Sequence, residues 1–169
     1  ENNMKTKSKK IVCVALAVLL IFALSIVIAG CGEKEPKEPK YEPPKNCDVV
    51  LEEKGYVPVN TFIGVCNSYD EMKETLMSHG LKSWDNDKVR EYAEEHVEDK
   101  SFVVCLYGEG SDGGQQRLRE VEVNDGKLTM YIWYERRGYA TDVIINRLFI
   151  AGVDKSFVAN VTECEYVFV

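Results

Sequence analysis

The sequence predicts an α+β domain, in which an antiparallel β-sheet of about five or six strands carries two helices on one face. A signal peptide and a disordered linker precede it. Two observations support this prediction. Apolar residues recur with helical spacing between residues 68 and 97, and from residue 101 onwards they alternate with polar residues or form short runs between turn-forming residues. Because an amphipathic helix must bury its apolar stripe, we expect both helices to cover the same sheet face.

The first thirty residues have the order of a bacterial export signal. Four lysines between residues 5 and 10 precede an uncharged apolar run over residues 11–28, and small residues follow it. This run is about as long as the shortest membrane-spanning helices, roughly 17–25 residues, so a retained transmembrane anchor is the alternative interpretation. In both interpretations the sequence predicts a domain that faces outward from the cell membrane.

The end of this segment favours a lipid anchor. Ile28-Ala29-Gly30-Cys31 resembles the lipobox of bacterial lipoprotein precursors. The resemblance implies cleavage before Cys31, a thioether-linked diacylglycerol on its sulfur, and acyl chains such as palmitate in the membrane. Two acyl chains anchor a protein stably, because each buried CH₂ contributes about 0.8 kcal/mol.

Residues 31–46 are predicted to be a tether between the lipid and the domain. Four of the five prolines of the chain fall between residues 36 and 44, among alternating Glu and Lys. A segment of this composition cannot bury a core, so we expect it to be extended and disordered. As polyproline II, at about 3.1 Å per residue, it would span on the order of 45 Å. A single extracytoplasmic domain is then predicted over residues 47–169.

The charge of the chain restricts its partners. The net charge is −7, and because residues 1–30 hold four Lys and one Glu, the remainder carries −10. An acidic surface argues against nucleic acid and against an anionic bilayer surface as ligands. It favours solubility and is compatible with a basic or cationic partner. A simply well-solvated surface is the alternative interpretation.

Four cysteines fall in the predicted domain, at Cys47, Cys66, Cys105 and Cys164. Outside the cell they permit two disulfides in three connectivities. They can equally be buried thiols, since a free cysteine packs as a small hydrophobic residue. None of them has C-x-x-C spacing, and neither histidine is close to a cysteine in the sequence. We therefore expect no zinc or other metal site.

The first half of the domain is predicted to contain one strand and two helices. Residues 47–59 are predicted to be irregular, and the β-branched and aromatic residues of 61–65 predict a first strand. Ser68 and Glu71 match a capping box, which predicts a helix start. Gly80 is a suitable residue to end this helix.

The second helix is predicted over residues 87–97. Its apolar residues recur at i, i+3, i+4, i+7 and i+8, which is the spacing of one helix face. This stripe consists of Val89, Tyr92, Ala93, His96 and Val97. We expect Trp84, just before the helix, to pack beneath its first turn.

The second half of the domain is predicted to consist of strands. Residues 102–107 are almost all apolar, which is typical of a central strand covered on both faces. Asn124-Asp125-Gly126 predicts a tight hairpin, because these residue types adopt positive φ. Gly152 predicts a bulge or bend in its strand. Further strands are predicted over residues 117–123, 127–134, 143–153 and 161–169.

The glycine-rich loop at residues 108–114 is a candidate for a phosphate-binding, calcium-binding or catalytic site. It follows a strand, but no Lys-Ser/Thr pair and no helix follow it, so it is not a phosphate-binding loop. Glu109, Ser111 and Asp112 could offer oxygen atoms to calcium, yet their spacing is not that of an EF-hand. Ser111 lacks a nucleophile motif, and no carboxylate pair stands out. We therefore predict no catalytic residues, no enzymatic activity and no cofactor.

Aromatic residues near residue 131 predict a partner-binding patch. Tyr131 and Trp133 share a strand face, and Arg136, Arg137 and Tyr139 follow in the next loop. Aromatic residues and arginine are the usual hot-spot types of protein interfaces. In the alternative interpretation, Tyr131 and Trp133 belong to the core and are covered by the two helices.

Several short segments carry a family resemblance. They read DKSFVV at residues 99–104, GSDGG at 110–114, LREV at 118–121, GKLT at 126–129 and FIAGVDK at 149–155. Together they resemble a group of small bacterial lipoproteins, whose domain is similar to the C-terminal domain of the PrcB-type subunit of a spirochaete surface protease complex. The likeness spans roughly residues 87–169. It implies a β-rich accessory domain that binds or stabilises a partner, with no catalytic residues to carry over.

These inferences lead to one functional expectation and one alternative. We expect a lipid-anchored extracytoplasmic lipoprotein that acts as a non-catalytic binding or accessory protein for a surface protein or protease. The alternative is a peptidase inhibitor or a small hydrolase directed at the cell wall or at peptides. A solute-binding lipoprotein fits less well, because one small domain lacks two lobes that close on a ligand.

Overall fold

The structure is a computed structural model that describes residues 42–55, 57–110, 114–136 and 144–169, residue 136 by its backbone only. It is a mixed α+β fold made mostly of strands, as the sequence predicted. The helices are α1 (Tyr69–Ser78), α2 (Asp87–Glu95) and the short α3 (Lys155–Val158). The strands are β1 (Asp48–Gly55), β2 (Phe62–Cys66), β3 (Lys100–Glu109), β4 (Gly114–Asn124), β5 (Lys127–Arg136), β6 (Ile145–Asp154) and β7 (Glu163–Phe168).

The strands form two sheets and not the single antiparallel sheet that the sequence predicted. The first sheet has the order β1-β6-β3-β2 and is antiparallel throughout. The second has the order β4-β5-β7, and β7 runs parallel to β5. Strands joined by a tight turn must be antiparallel, whereas a parallel pair needs a crossover connection. Here the chain passes through β6 and α3 of the other layer before it returns as β7.

The four-stranded sheet is the central layer of the domain. Its strand β3 is buried from Ser101 to Tyr107, as the apolar run of residues 102–107 predicted. On one face, α1 and α2 pack Met72, Leu76 and Val89 into a first core. On the other face, the three-stranded sheet closes a second core. The second core contains Val103, Cys105, Leu118, Leu128, Met130, Ile132 and Phe149.

Strand β1 shows that the prediction of an irregular segment over residues 47–59 is wrong. Asp48–Gly55 pairs with β6 along its whole length. Only Val50 and Leu51 of this strand are buried. Because β1 lies at the edge of the sheet, most of its side chains stay partly in water, so its sequence lacks the apolar pattern of a covered strand.

Gly152 has a different role from the predicted bulge. The register shift lies in the facing strand β1, between Val49 and Leu51. A Cβ on Gly152 would lie 2.8 Å from Cε1 of Tyr92 in α2, and closer still to its hydroxyl. The glycine therefore marks a close approach between helix and sheet, which is the other usual reason for glycine inside a strand.

The helix start predicted from Ser68 and Glu71 is confirmed with Ser68 as the N-cap, although the Glu71 carboxylate bonds to the residue before the cap and not to Ser68 N. Ser68 Oγ accepts a hydrogen bond from Glu71 N at 3.1 Å, and the Glu71 carboxylate accepts one from Asn67 N at 2.7 Å. Gly80 follows the helix with a φ of 116°, a conformation that favours glycine. Among the described residues, no helix is both long and apolar enough to cross a membrane.

The second helix is shorter than predicted. Asn86 caps its first turn by accepting a hydrogen bond from Val89 N at 3.2 Å. The helix ends at Glu95, so Val97 leaves the predicted apolar stripe and is 58% exposed. Trp84 is buried in the first core, as its position before the helix predicted.

The predicted hairpin turn joins β4 to β5. Asp125 and Gly126 have φ values of 50° and 80°, which suit a two-residue turn with positive φ. Beside this hairpin, Lys45 N donates to Arg119 O at 3.0 Å, and Lys45 O accepts from Val121 N at 3.2 Å. The segment before β1 therefore covers the outer edge of β4.

Candidate functional site

The exposed face of the three-stranded sheet carries the aromatic residues that the sequence singled out. Thr129, Tyr131 and Trp133 of β5 alternate with Leu128, Met130 and Ile132, which are fully buried in the second core. In β7, Val167 lies opposite Tyr131 and is 37% exposed. We call Thr129, Tyr131, Trp133 and Val167 the outer sheet face.

The interpretation of Tyr131 and Trp133 as core residues covered by the helices is wrong. Both side chains are only half-buried. The helices α1 and α2 pack on the far side of the four-stranded sheet, against the first core. The three-stranded sheet shields its inner face and leaves the outer sheet face turned to solvent.

Glutamates surround the hydroxyl of Tyr131. It donates a hydrogen bond to Glu122 Oε2 at 2.9 Å, and this bond raises the pKa of Tyr131 above its ordinary value. The negative charges of Glu122, Glu120 and Glu165 raise the pKa of Tyr131 further. Glu120 and Glu122 reach it from β4, and Glu165 from β7. We call Glu120, Glu122 and Glu165 the acidic rim.

One member of the acidic rim is held by two neighbours. Lys127 Nζ forms an ion pair with Glu165 Oε2 at 2.7 Å, and this contact lowers the pKa of the Glu165 carboxyl. Thr129 Oγ1 donates to Glu165 Oε1 at 3.3 Å. These contacts follow from the parallel pairing of β5 with β7, which places Glu165 directly opposite Thr129.

Trp133 lies opposite Arg117 of β4, because a register shift between Leu118 and Glu120 moves the pairing by one residue. Arg117 Nη1 forms an ion pair with Glu52 Oε2 at 2.9 Å. The other oxygen of Glu52 accepts a hydrogen bond from Leu118 N at 2.7 Å. Glu52 of β1 thus ties the two sheets together beside the outer sheet face.

The other predicted site residues are not brought together with Tyr131 and Trp133 by the described geometry. Arg136 is the last residue of β5, and its side chain lies outside the described part. Arg137, Tyr139 and the lipidation residue Cys31 lie outside the described residues altogether. The predictions for these four residues therefore stay predictions.

The four cysteines of the domain are free thiols in the structure. Burial raises the pKa of Cys66 to about 11 and that of Cys47 to about 12. Burial also raises the pKa of Cys105, which is fully buried in β3, and of Cys164, which is half-buried in β7. Because the thiolate is the reactive form, these thiols are poor nucleophiles at neutral pH.

An open cleft of about 430 Å³ lies where α3 and the start of β7 meet the end of β2 and the start of β3. Its polar lining is already engaged within the protein. Ser101 Oγ donates to Asn67 Oδ1 at 3.0 Å, and Lys155 Nζ donates to Val97 O at 2.6 Å. The residues that line the cleft include Cys164 but neither histidine.

Both histidines lie on the helix-bearing side of the domain. The Nδ1 atom of His79 lies 2.8 Å from Thr75 O at the end of α1. The His96 ring lies 4.4 Å from the Tyr92 ring, and its Nδ1 is 3.7 Å from Asp99 Oδ1. Both rings are thus held by contacts within the domain, His79 at the end of its helix and His96 against Tyr92.

A polar network between the sheets was missed by the sequence analysis. The Tyr107 hydroxyl donates to Gln116 Oε1, and Gln116 Nε2 donates to Glu109 Oε2 at 2.6 Å. Arg147 joins through Glu109 at 3.5 Å and through a hydrogen bond to Gly114 O at 3.0 Å. A charged residue inside the apolar run of residues 145–153 was the available signal, since buried charges are almost always paired.

Within the described ranges, no group of three or more His, Cys, Asp or Glu side chains converges as metal ligands. Ser111 and Asp112 of the calcium hypothesis lie outside those ranges. Comparison with protein-family models, curated proteins and solved structures gives no match to this chain. The resemblance to a PrcB-type domain therefore stays a prediction.

Proposed function

We propose that this chain is an outward-facing lipoprotein of the cell membrane, anchored through Cys31, that acts as a non-catalytic binding or accessory protein for a surface protein or protease. The outer sheet face is the single observation that supports the binding role best. A half-buried tyrosine and tryptophan occupy the middle strand of a regular sheet face there. Such residues are enriched in interface hot spots and are otherwise costly to leave in water.

Two features of the sequence support the location. The lipobox-like end at Cys31 follows an apolar run, and the Pro/Glu/Lys-rich segment follows the cysteine. A tether of this length lets a small domain reach partners on the surface without leaving the membrane. The proposed partner is a membrane or surface protein and not nucleic acid, because the chain has a net charge of −7.

Partner capture from solubilised membranes tests the binding role. The native lipidated chain is the bait, and the Trp133→Ala variant is the matched control. We expect one surface protein to bind saturably, to be displaced by excess unlabelled chain, and to be lost with Trp133→Ala. Equal recovery with both baits would contradict docking through the outer sheet face.

Incorporation of a radiolabelled fatty acid tests the anchor separately. We expect labelling of the wild-type chain and of a Cys47→Ala variant, and none for Cys31→Ala. Labelling that survives Cys31→Ala would contradict lipidation at that cysteine.

The alternative functions find less support. A hydrolase needs an activated nucleophile or an acid–base pair. In the cleft beside β7, burial raises the pKa of the Cys164 thiol, which disfavours its reactive thiolate form. The Ser101 hydroxyl already donates its hydrogen bond to Asn67. An inhibitor would present the loop at residues 108–114, of which residues 111–113 lie outside the described part.

A further inference from the structure

The outer sheet face combines partly exposed aromatic rings with carboxylates. Tyr131 and Trp133 stand in the middle strand, and Val167 extends the apolar area onto β7. The acidic rim lies on both sides of Tyr131, because β4 supplies Glu120 and Glu122 while β7 supplies Glu165. The charges of all three reach the tyrosine hydroxyl closely enough to disfavour its ionisation. An apolar strip with negative charge on both sides is thus built into the sheet.

The protein itself neutralises only part of this charge. Within the described part of the chain, Lys127 pairs with Glu165 at 2.7 Å. Glu122 instead accepts the Tyr131 hydroxyl, a neutral donor. Arg117, which lies opposite Trp133, forms its ion pair with Glu52 in the other sheet. A partner that brings positive charge would therefore find carboxylates that the described residues do not use as ion-pair partners.

Two interactions favour the same kind of ligand group. A lysine ammonium or an arginine guanidinium over the face of Trp or Tyr gains cation–π energy, and the rim carboxylates can accept its N–H groups in charge-assisted hydrogen bonds. A neutral segment gains neither of these interactions, and an acidic segment is in addition repelled by the rim. We propose that the outer sheet face binds a lysine- or arginine-bearing segment of the protein partner, an inference that rests on the proposed function and specifies its partner.

Tryptophan fluorescence provides a direct test on the full-length chain in a non-ionic detergent. The chain has two tryptophans, and Trp84→Phe leaves Trp133 as the single reporter. The probe is a synthetic peptide of alternating lysine and glycine, and the control peptide replaces lysine by glutamate. We expect the lysine peptide to change Trp133 emission saturably and to protect it from acrylamide, and the glutamate peptide to do neither.

Matched charge variants separate the local site from the general acidity of the chain. Neutralising the rim with Glu120→Gln, Glu122→Gln and Glu165→Gln should weaken peptide binding by about tenfold or more. Neutralising three exposed glutamates of α2, with Glu91→Gln, Glu94→Gln and Glu95→Gln, changes the net charge equally and should alter affinity less than about twofold. Equal weakening by the two triple variants would overturn the proposal.

Two other results would also overturn it. The first is peptide binding, measured by calorimetry, that is unchanged by Trp133→Ala. The second is peptide binding at the outer sheet face that occurs only after residues 32–41 are deleted. In that case lysines of the chain itself would be the ligand of this face. If the lysine peptide does not bind but capture of a membrane partner still requires Trp133, only the proposed basic segment is refuted. If the peptide does not bind and partner capture does not depend on Trp133, the outer sheet face is refuted as a docking site as well.

Discussion

Individual residues fix how the helices meet the central sheet. Tyr92 of α2 lies against the backbone of Gly152, and its hydroxyl donates to Asp48 Oδ2 at 2.8 Å. Asp48 also pairs with Lys100 Nζ at 3.3 Å, and Lys100 pairs with Asp154 at 2.9 Å. One aromatic side chain therefore connects a helix to the edge strand β1 and to the charged end of β3 and β6.

Gly152→Ala is expected to destabilise the domain by about 1–3 kcal/mol, since the added methyl group must displace the Tyr92 ring. Urea denaturation provides the free energy of unfolding. Gly110→Ala is the matched control, because a Cβ at Gly110 meets nothing within 4 Å. In a Tyr92→Ala background, Gly152→Ala should lower the free energy of unfolding by less. An equal loss in both backgrounds would show that the Tyr92 ring does not clash with the added methyl group.

The stability of the domain should fall with acid through Asp48. The hydrogen bond from Tyr92 lowers the pKa of Asp48 in the folded state, and Lys100 and His96 lower it further. A carboxyl with a depressed folded pKa adds stability above its unfolded pKa of about 4 and loses it as pH falls through the folded pKa. We expect Asp48→Asn to reduce the change of the urea midpoint with pH between pH 5 and pH 2. Glu94→Gln, on the exposed surface of α2, should leave this pH dependence as in the wild type.

At the scale of elements, local sequence signals determine some strand pairings and tertiary contacts determine others. The Asp125-Gly126 turn fixes the register of β4 and β5, so the positions of Glu120 and Glu122 opposite Tyr131 and Thr129 follow from a two-residue hairpin. The bulge after Leu118 then shifts the pairing and puts Arg117 opposite Trp133. No local signal marks this shift, so the surroundings of Trp133 could not be derived from the turn.

Asn86→Ala should cost about 1 kcal/mol, and up to about 2 kcal/mol, because it removes the cap of α2. Asn86 also donates from Nδ2 to Glu53 Oε1 at 3.1 Å, which ties the helix start to β1. Asn86→Ser keeps a capping oxygen and should recover most of the loss in thermal unfolding. Ser83→Ala, at an exposed position in the turn that precedes Trp84, is the control. A cost equal to that of Ser83→Ala would contradict the capping role.

At the scale of the whole molecule, two cores share one central sheet. Even-numbered positions of β3, such as Phe102 and Val104, face the helices, and Val103 and Cys105 face the three-stranded sheet. Each fully buried large apolar side chain contributes about 1.5–3 kcal/mol. Because both cores use β3 and β6, loss of either layer exposes the strands that support the other.

The two layers should therefore unfold together. We expect Leu76→Ala in the first core and Met130→Ala in the second each to cost about 2–5 kcal/mol and to keep a single transition. Trp84 reports on the helix layer and Trp133 on the outer layer, so Trp133→Phe and Trp84→Phe variants follow each layer separately by fluorescence. Two midpoints that differ would show that the layers unfold independently.

The sequence by itself determined the elements whose causes are local. The Ser68 N-cap, the Asp125-Gly126 turn and the apolar run of β3 depend on neighbours a few residues away, and all three are confirmed. It also singled out Tyr131 and Trp133, although their exposure had two interpretations. Only the tertiary structure decided between them, by stacking a second sheet on the face opposite the helices. That arrangement depends on β7 crossing over to pair with β5, and on β1 pairing with β6, contacts between segments far apart in the chain.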